Sequence, residues 1–241
     1  MTEKLYRPDA YARDCEARIV SVTDRGGIIL DRTVFYAAAG GQPGDKGAID
    51  IPGLGTIEIA TAVYDADKDT IVHVPAQPLP SAPAAGTTVK ASLDWELRHK
   101  LMRMHTGLHL LCSLVKFPVT GGQIGVDEGR LDFDITDADA VDKDRLSEQL
   151  QELIDGHHAV AEQWITDAEL EANPGLVRTM AVKPPMGSGH VRLVLIGADG
   201  AIDRQPCGGT HVANTDEVGR LVVTKIEKKG KVNRRVRVAF A

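Results

Sequence analysis

The chain opens with short runs in which apolar and polar residues alternate, the period of strands with one buried face. Residues 15–22 ("CEARIVSV"), 26–35 ("GGIILDRTVF"), 55–65 ("GTIEIATAVYD") and 69–75 ("DTIVHVP") each read as β-rich, split by turn formers such as "TDRGG" and "DADKD". With no helical period in this region, a small β-barrel or sandwich is expected. Residues 75–86, "PAQPLPSAPAAG", hold four prolines and four alanines and are the best linker candidate in the chain. The pattern then changes. From Asp94, a candidate N-cap, "WELRHKLMRMHTGLHLLCSLV" has a 3.6-residue period, with Leu101, Met104, Leu108, Leu111, Cys112 and Val115 on one stripe. His105 and His109 fall at the edge of that stripe, Arg98 on the same flank and Gly107 on the far face.

After this helix, "VTGGQIG" reads as a Gly-rich turn and "EGRLDFDI" as a strand. A second amphipathic helix is expected from about Val141 to Asp155, and strands at "VRLVLIG" and "GRLVVTKIEKK…RRVRVAF". The fold class predicted is α+β, with an N-terminal small β-barrel domain over residues 1–88 and a second α+β domain over 89–241.

Composition narrows the classes. The 241 residues are 43% hydrophobic and 26% charged, as for a globular chain able to bury a core, and only 4% aromatic, so aliphatic residues must fill it. A net charge of −6 argues against a generally basic nucleic-acid binder. The tail "KIEKKGKVNRRVR" is nonetheless basic, either a solvated edge hairpin or a phosphate-binding strip. The three cysteines, Cys15, Cys112 and Cys207, show no disulfide framework spacing. With no signal-peptide pattern and no run near the roughly 18 apolar residues of a membrane span, a cytoplasmic location without membrane partners is expected.

The candidate chemistry begins with "HTGLH". Its two histidines stand four apart, so both imidazoles project from one side of a helix, at a spacing that one metal ion bridges. A pair of partly buried, hydrogen-bonded histidines gives the same pattern. A zinc protease is disfavoured, because the glutamate of its motif is absent. "CGGTH", about a hundred residues later, offers Cys207 and His211 across two glycines, a loop that can fold tightly round an ion. Together His105, His109, Cys207 and His211 form a complete N/S set for one zinc ion per chain. The third element, "FYAAAGGQPGDKGAI", is either a loop that brings backbone up to a ligand or an ordinary turn.

These three stretches closely resemble the editing domain of alanyl-tRNA synthetases, and still more the free-standing alanyl-tRNA editing proteins called AlaX, of medium length with a Gly-rich motif. The resemblance runs nearly end to end. It implies that the second domain is an α/β two-layer sandwich of the threonyl/alanyl-tRNA synthetase second-additional-domain type. It implies zinc ligands at His105, His109, Cys207 and His211, recognition of the wrong amino acid by Gln123, and a substrate loop at Gly40, Gly41, Gln42, Pro43 and Gly44. Many relatives read GGGQP where this chain has Ala39 before Gly40, and alanine where it has Gly107. The activity implied is hydrolysis of the ester in Ser-tRNA(Ala), and secondarily Gly-tRNA(Ala), with mischarged alanine tRNA as partner and a monomer or weak homodimer as the working form. A zinc-stabilised RNA-binding module without catalysis, or a zinc hydrolase of small esters, would also carry such a site.

Overall fold

The structure, a computed structural model, describes residues 1–136, 141–180, 189–230 and 232–241. Its contacts divide into two compact units, Met1–His99 and Lys100–Ala241.

In the first unit, β1 (Glu3–Lys4) and β4 (Arg32–Thr33) form a small parallel pair. The other six strands are β2 (Asp14–Val22), β3 (Ile28–Leu30), β5 (Gly47–Ile51), β6 (Gly55–Tyr64), β7 (Ile71–Pro75) and β8 (Thr88–Leu93). They close a barrel in the order β2-β3-β7-β6-β5-β8, which leaves no free sheet edge. Alternation produces the inside: Ile19, Ile28, Leu30, Ile49, Ile51, Ile59, Ile71, Val89 and Ala91 are all buried, with Phe35 the main aromatic. Two of these strands, β5 and β8, are absent from the sequence reading. β5 emerges from the Gly-rich stretch, and β8 follows the Pro/Ala stretch, which therefore connects two strands of one barrel.

The Gly-rich stretch is shaped by backbone demands. Ala39 and Gln42 exchange N–H···O bonds of 3.1 and 2.9 Å. Between them Gly40 and Gly41 have φ of 57° and 84°. Two successive positive φ values in a two-residue hairpin loop mark a type I′ turn, which glycine adopts without strain. Ala39 is the pairing residue outside that turn and has no positive φ, so alanine is accommodated there. Gly44 answers to crowding instead: a Cβ there would lie 2.0 Å from the Ala62 carbonyl oxygen.

Two buried polar groups hold this unit together. Arg98, in the first turns of α1 (Trp95–Leu114), is fully buried. It forms an ion pair with Asp45 and donates to the carbonyls of Val34 (2.7 Å) and Ala10 (2.9 Å), while Asp45 also accepts from the Tyr36 N–H at 2.6 Å. His73 sits inside the barrel. Its Nδ1–H donates to the Ile28 carbonyl (3.0 Å), and its Nε2 accepts from the Thr33 hydroxyl (2.8 Å), which itself accepts from the Phe35 N–H. The neutral ring fits that chain of bonds, with one nitrogen donating and the other accepting. Burial pushes the His73 pKa from 6.5 down to about 4.

The second unit is mixed α/β. A four-stranded antiparallel sheet runs β14-β15-β10-β9, from β9 (Val119–Gln123), β10 (Glu128–Asp134), β14 (Leu221–Lys228) and β15 (Asn233–Phe240). A three-stranded antiparallel sheet runs β11-β12-β13, from β11 (Val160–Thr166), β12 (His190–Ile196) and β13 (Asp203–Pro206). In sequence α2 (Lys143–Asp155), N-capped by Asp142, lies between β10 and β11, and the short α3 (Asp167–Ala172), with a Thr166/Glu169 capping box, between β11 and β12. α2 lies along β14, where Ser147 and Gln151 accept from the backbone N–H groups of Val223 (3.0 Å) and Leu221 (3.4 Å). Edge donors that could template another strand are thereby used. "VTGG" and Gln123, read as a turn, are strand β9.

α1 starts where expected, with the Leu97 N–H bonded to Asp94 at 3.1 Å. Its middle departs from the amphipathic reading. Residues 104–112 are buried all round, and Gly107 faces the sheet, where a Cβ would meet Leu221 Cδ2 at 2.5 Å. Gly129 on β10 likewise leaves the space taken by Met104 and Leu108, whose atoms lie 2.7–3.1 Å from where its Cβ would be. Among the described residues no helix is long and apolar enough to cross a membrane.

Two outcomes follow for stability. Arg98→Met strands the buried Asp45 carboxylate and lowers unfolding free energy by about 3–5 kcal/mol, measured by denaturant titration. His73 is protonated in the unfolded chain below pH 6.5 but in the fold only below about 4. Stability is therefore full above 6.5 and declines between 6.5 and 4, by at most about 3 kcal/mol from this group. His73→Gln flattens that part of the stability–pH curve; an unchanged slope refutes the assignment.

Candidate metal centre

His105 and His109 project from adjacent turns of α1, and their rings meet edge to face at 5.2 Å between centroids. Cys207 follows directly on β13, and His211 lies four residues further on, beyond Gly208 and Gly209. The fold brings all four together, and one ligand atom from each lies within 4.8 Å of the others. The histidines are buried and Cys207 is half-buried.

Three of the four donors, His109, His211 and Cys207, are aimed by neighbours outside the cluster. His109 Nδ1 bonds Asp203 at 2.8 Å, which leaves Nε2 for the cluster. His211 Nδ1 bonds the Thr106 hydroxyl at 3.2 Å, and its Nε2 lies 3.3 Å from Cys207 Sγ. His105 Nε2 lies 3.5 Å from the same sulfur. The Cys207 loop is clamped by Arg192 on β12, which donates to the carbonyls of Cys207 (2.9 Å) and Gly209 (2.8 Å) and pairs with Glu162. Inside the loop, the Gly209 N–H points to Cys207 Sγ at 3.4 Å.

The electrostatics favour a thiolate. Burial raises the Cys207 pKa, but the neighbouring His105 and hydrogen bonds from His105 and His109 outweigh it and hold the thiol well below its usual range. Burial and the neighbouring His105 press His211 the other way, towards the neutral ring. For His109 burial is overcome by the bonds to Asp203 and Cys207, which push it up to about 10.

The donor set fits zinc. Bonds of about 2.0 Å to nitrogen and 2.3 Å to sulfur at tetrahedral angles put N and S about 3.5 Å apart. The two Nε2–Sγ separations of 3.3 and 3.5 Å sit at that value. Sequence reasoning missed the residues behind the donors: Thr106, Arg192, Asp203 and Gln205. Only Asp203 and Gln205 left a trace, as two polar residues spaced by two on a short strand, both buried.

The other predicted site residues are placed separately. Gln123 ends β9, exposed, and its Oε1 accepts from Arg130 Nε at 3.3 Å. Gly40, Gly41, Gln42, Pro43 and Gly44 belong to the first unit, where Gln42 is buried and the two turn glycines are open to solvent. Three cations of the basic tail are paired with acids within the sheet. Arg235 pairs with Asp132, Arg237 with Glu128 and Glu227, and Lys225 with Glu227. Lys228 and Lys229 stay exposed, and Lys231 lies outside the described residues.

Two stretches of the chain match families of the aminoacyl-tRNA synthetases. Residues 191–237 match the Threonyl and Alanyl tRNA synthetase second additional domain, and residues 11–97 match the tRNA synthetases class II (A) family. The chain is 32% identical to the alanyl-tRNA editing protein AlaX-M of Methanosarcina barkeri, over 98% of each chain. It is 34% identical to the alanyl-tRNA editing protein AlaX-L of Pyrococcus horikoshii, over 96% of this chain and 56% of that one. It is also 32% identical to the alanine–tRNA ligase of Pyrobaculum arsenaticum, covering 94% of this chain and 25% of the ligase. The chain belongs to the family of alanyl-tRNA editing proteins, AlaX.

Proposed function

We propose that this protein is a cytoplasmic, zinc-dependent deacylase that clears alanine tRNA of wrongly attached serine, and secondarily glycine, by hydrolysing the ester to the terminal ribose. The observation that carries the reading is the grouping of His105, His109, Cys207 and His211 within 4.8 Å in a chain of this family. Zinc held there supplies positive charge that polarises an ester carbonyl or acidifies a water. The protein's own residues do the rest. A pocket that accepts alanine cannot strongly reject an isostere carrying one more hydroxyl, so a second site must read that hydroxyl.

Gln123 is assigned that role: its Oε1 is engaged by Arg130, which leaves the amide N–H₂ free to donate to the serine oxygen. When alanine enters, that donor has no partner. The turn at Gly40–Gly41, with no Cβ on either residue, is assigned to backbone approach by the RNA, and Lys228 and Lys229 to its phosphates. The absence of a glutamate between the two histidines agrees with an activated ester as substrate, which needs less base assistance than an amide.

The test is deacylation of Ser-, Gly- and Ala-charged alanine tRNA at measured zinc content. Zinc-loaded wild type is expected to cleave Ser-tRNA(Ala) and spare Ala-tRNA(Ala). Cys207→Ala is expected to lose more than about 100-fold of that rate together with its zinc. Gln123→Leu should reduce the Ser-over-Ala preference about tenfold, the worth of one hydrogen bond, with zinc content unchanged. No turnover of Ser-tRNA(Ala) by the loaded wild type rejects the reading. Equal cleavage of free amino-acid esters would favour a small-ester hydrolase, and tight RNA binding without turnover an inert module.

A further inference from the structure

Asp203 is buried at the start of β13, with 4% of its surface exposed, two residues before the equally buried Gln205. Its Oδ2 lies 2.8 Å from His109 Nδ1 and 2.8 Å from Gln205 Nε2. Gln205 Nε2 and His109 Nδ1 are themselves 3.2 Å apart. Two nitrogens that both carry hydrogen do not bond each other, and here they need not, because both N–H groups converge on one carboxylate oxygen. A proton of His109 is thereby held on Nδ1, and Nε2 is turned towards the other three donors. Thr106 has the corresponding place behind His211. Its hydroxyl oxygen accepts from His211 Nδ1 (3.2 Å) and from the Val212 N–H (3.3 Å), which joins α1 to the loop that carries the ligand.

We propose that Asp203, steadied by Gln205, is a positioning residue of the metal centre: it fixes His109 as an Nε2 ligand and sets a negative charge directly behind it. The assignment rests on the zinc reading above. A carboxylate in this position orients the ring, raises its basicity and offsets part of the ion's charge. Those effects act on metal affinity and on the electronic character of the centre, whatever substrate the centre serves. The location also explains why a carboxylate is tolerated at this depth: the histidine N–H and the glutamine amide satisfy it.

The test uses the full chain, with zinc as probe, in competition with a chromogenic chelator, and with cobalt(II) as spectroscopic substitute. Asp203→Ala is expected to bind zinc about 10–100-fold more weakly, to shift the cobalt absorption bands, and to lose the Nδ1-protonated ¹⁵N signature of His109. Asp203→Asn keeps an acceptor but no charge, so it should keep that signature with an intermediate loss of affinity. The Asn variant is nearly isosteric and decides the matter if the Ala variant does not fold. Thr106→Val should weaken zinc binding through His211 while leaving the His109 signature intact. Wild-type affinity and unchanged cobalt bands in the Asp203 variants overturn the assignment, as does a wild type that binds no zinc. A wild type that binds zinc and shows these shifts but cleaves no charged tRNA leaves the assignment standing and removes only the proposed activity.

Discussion

Three imidazole nitrogens and one sulfur held within 4.8 Å crowd lone pairs and partial charges in a place with little water to screen them. Such a grouping needs its donors held in place, and much of the second unit does this. α1 supplies two donors at helical spacing. Its side chains lock onto the sheet because Gly129 leaves space for Met104 and Leu108. β13 delivers Asp203 and Gln205 behind one histidine and then Cys207 to the cluster. Arg192 ties down the loop carbonyls that a glycine pair would otherwise leave loose.

The same economy governs the charges elsewhere. Arg98 and Asp45 are buried as a pair, with every guanidinium nitrogen hydrogen-bonded, and His73 is kept neutral by its burial inside the barrel. On the outer sheet the arginines of β15 stand between acids of the flanking strands, Asp132 and Glu128 on one side and Glu227 on the other. A stretch that is strongly basic in sequence is therefore partly offset in space, and its excess of positive charge lies towards Lys228 and Lys229. Strand pairing, which sequence order conceals, does the offsetting.

Legibility followed the same line between local and long-range causes. The barrel class, the α1 and α2 boundaries and the strands at "VRLVLIG" and "RRVRVAF" were readable, because alternation, helical period and an Asp94 cap are written locally. The four donors were readable because histidine and cysteine spacings are distinctive. β5, β8 and β9 were not: they run through or beside glycine- and proline-rich stretches with weak alternation, and β8 becomes a strand only through partners distant in sequence. Gly107 was misplaced because a helix wheel assumes a solvent side, and α1 has none through its middle. Asp203, Gln205 and Thr106 carry no spacing signal towards histidines about a hundred positions away.

The split of the donor set between α1 and the end of β13 has a thermodynamic side. The unfolded chain can offer an ion only the local pairs, two histidines in one place and a cysteine with a histidine in another. The complete tetrad exists only once the topology between them has closed. Any ion that prefers four donors to two therefore binds the native chain selectively, and by linkage raises the free energy needed to open it. An ion held there would join coordination and tertiary structure in a single coupled equilibrium, in which occupancy reports on folding as directly as folding determines occupancy.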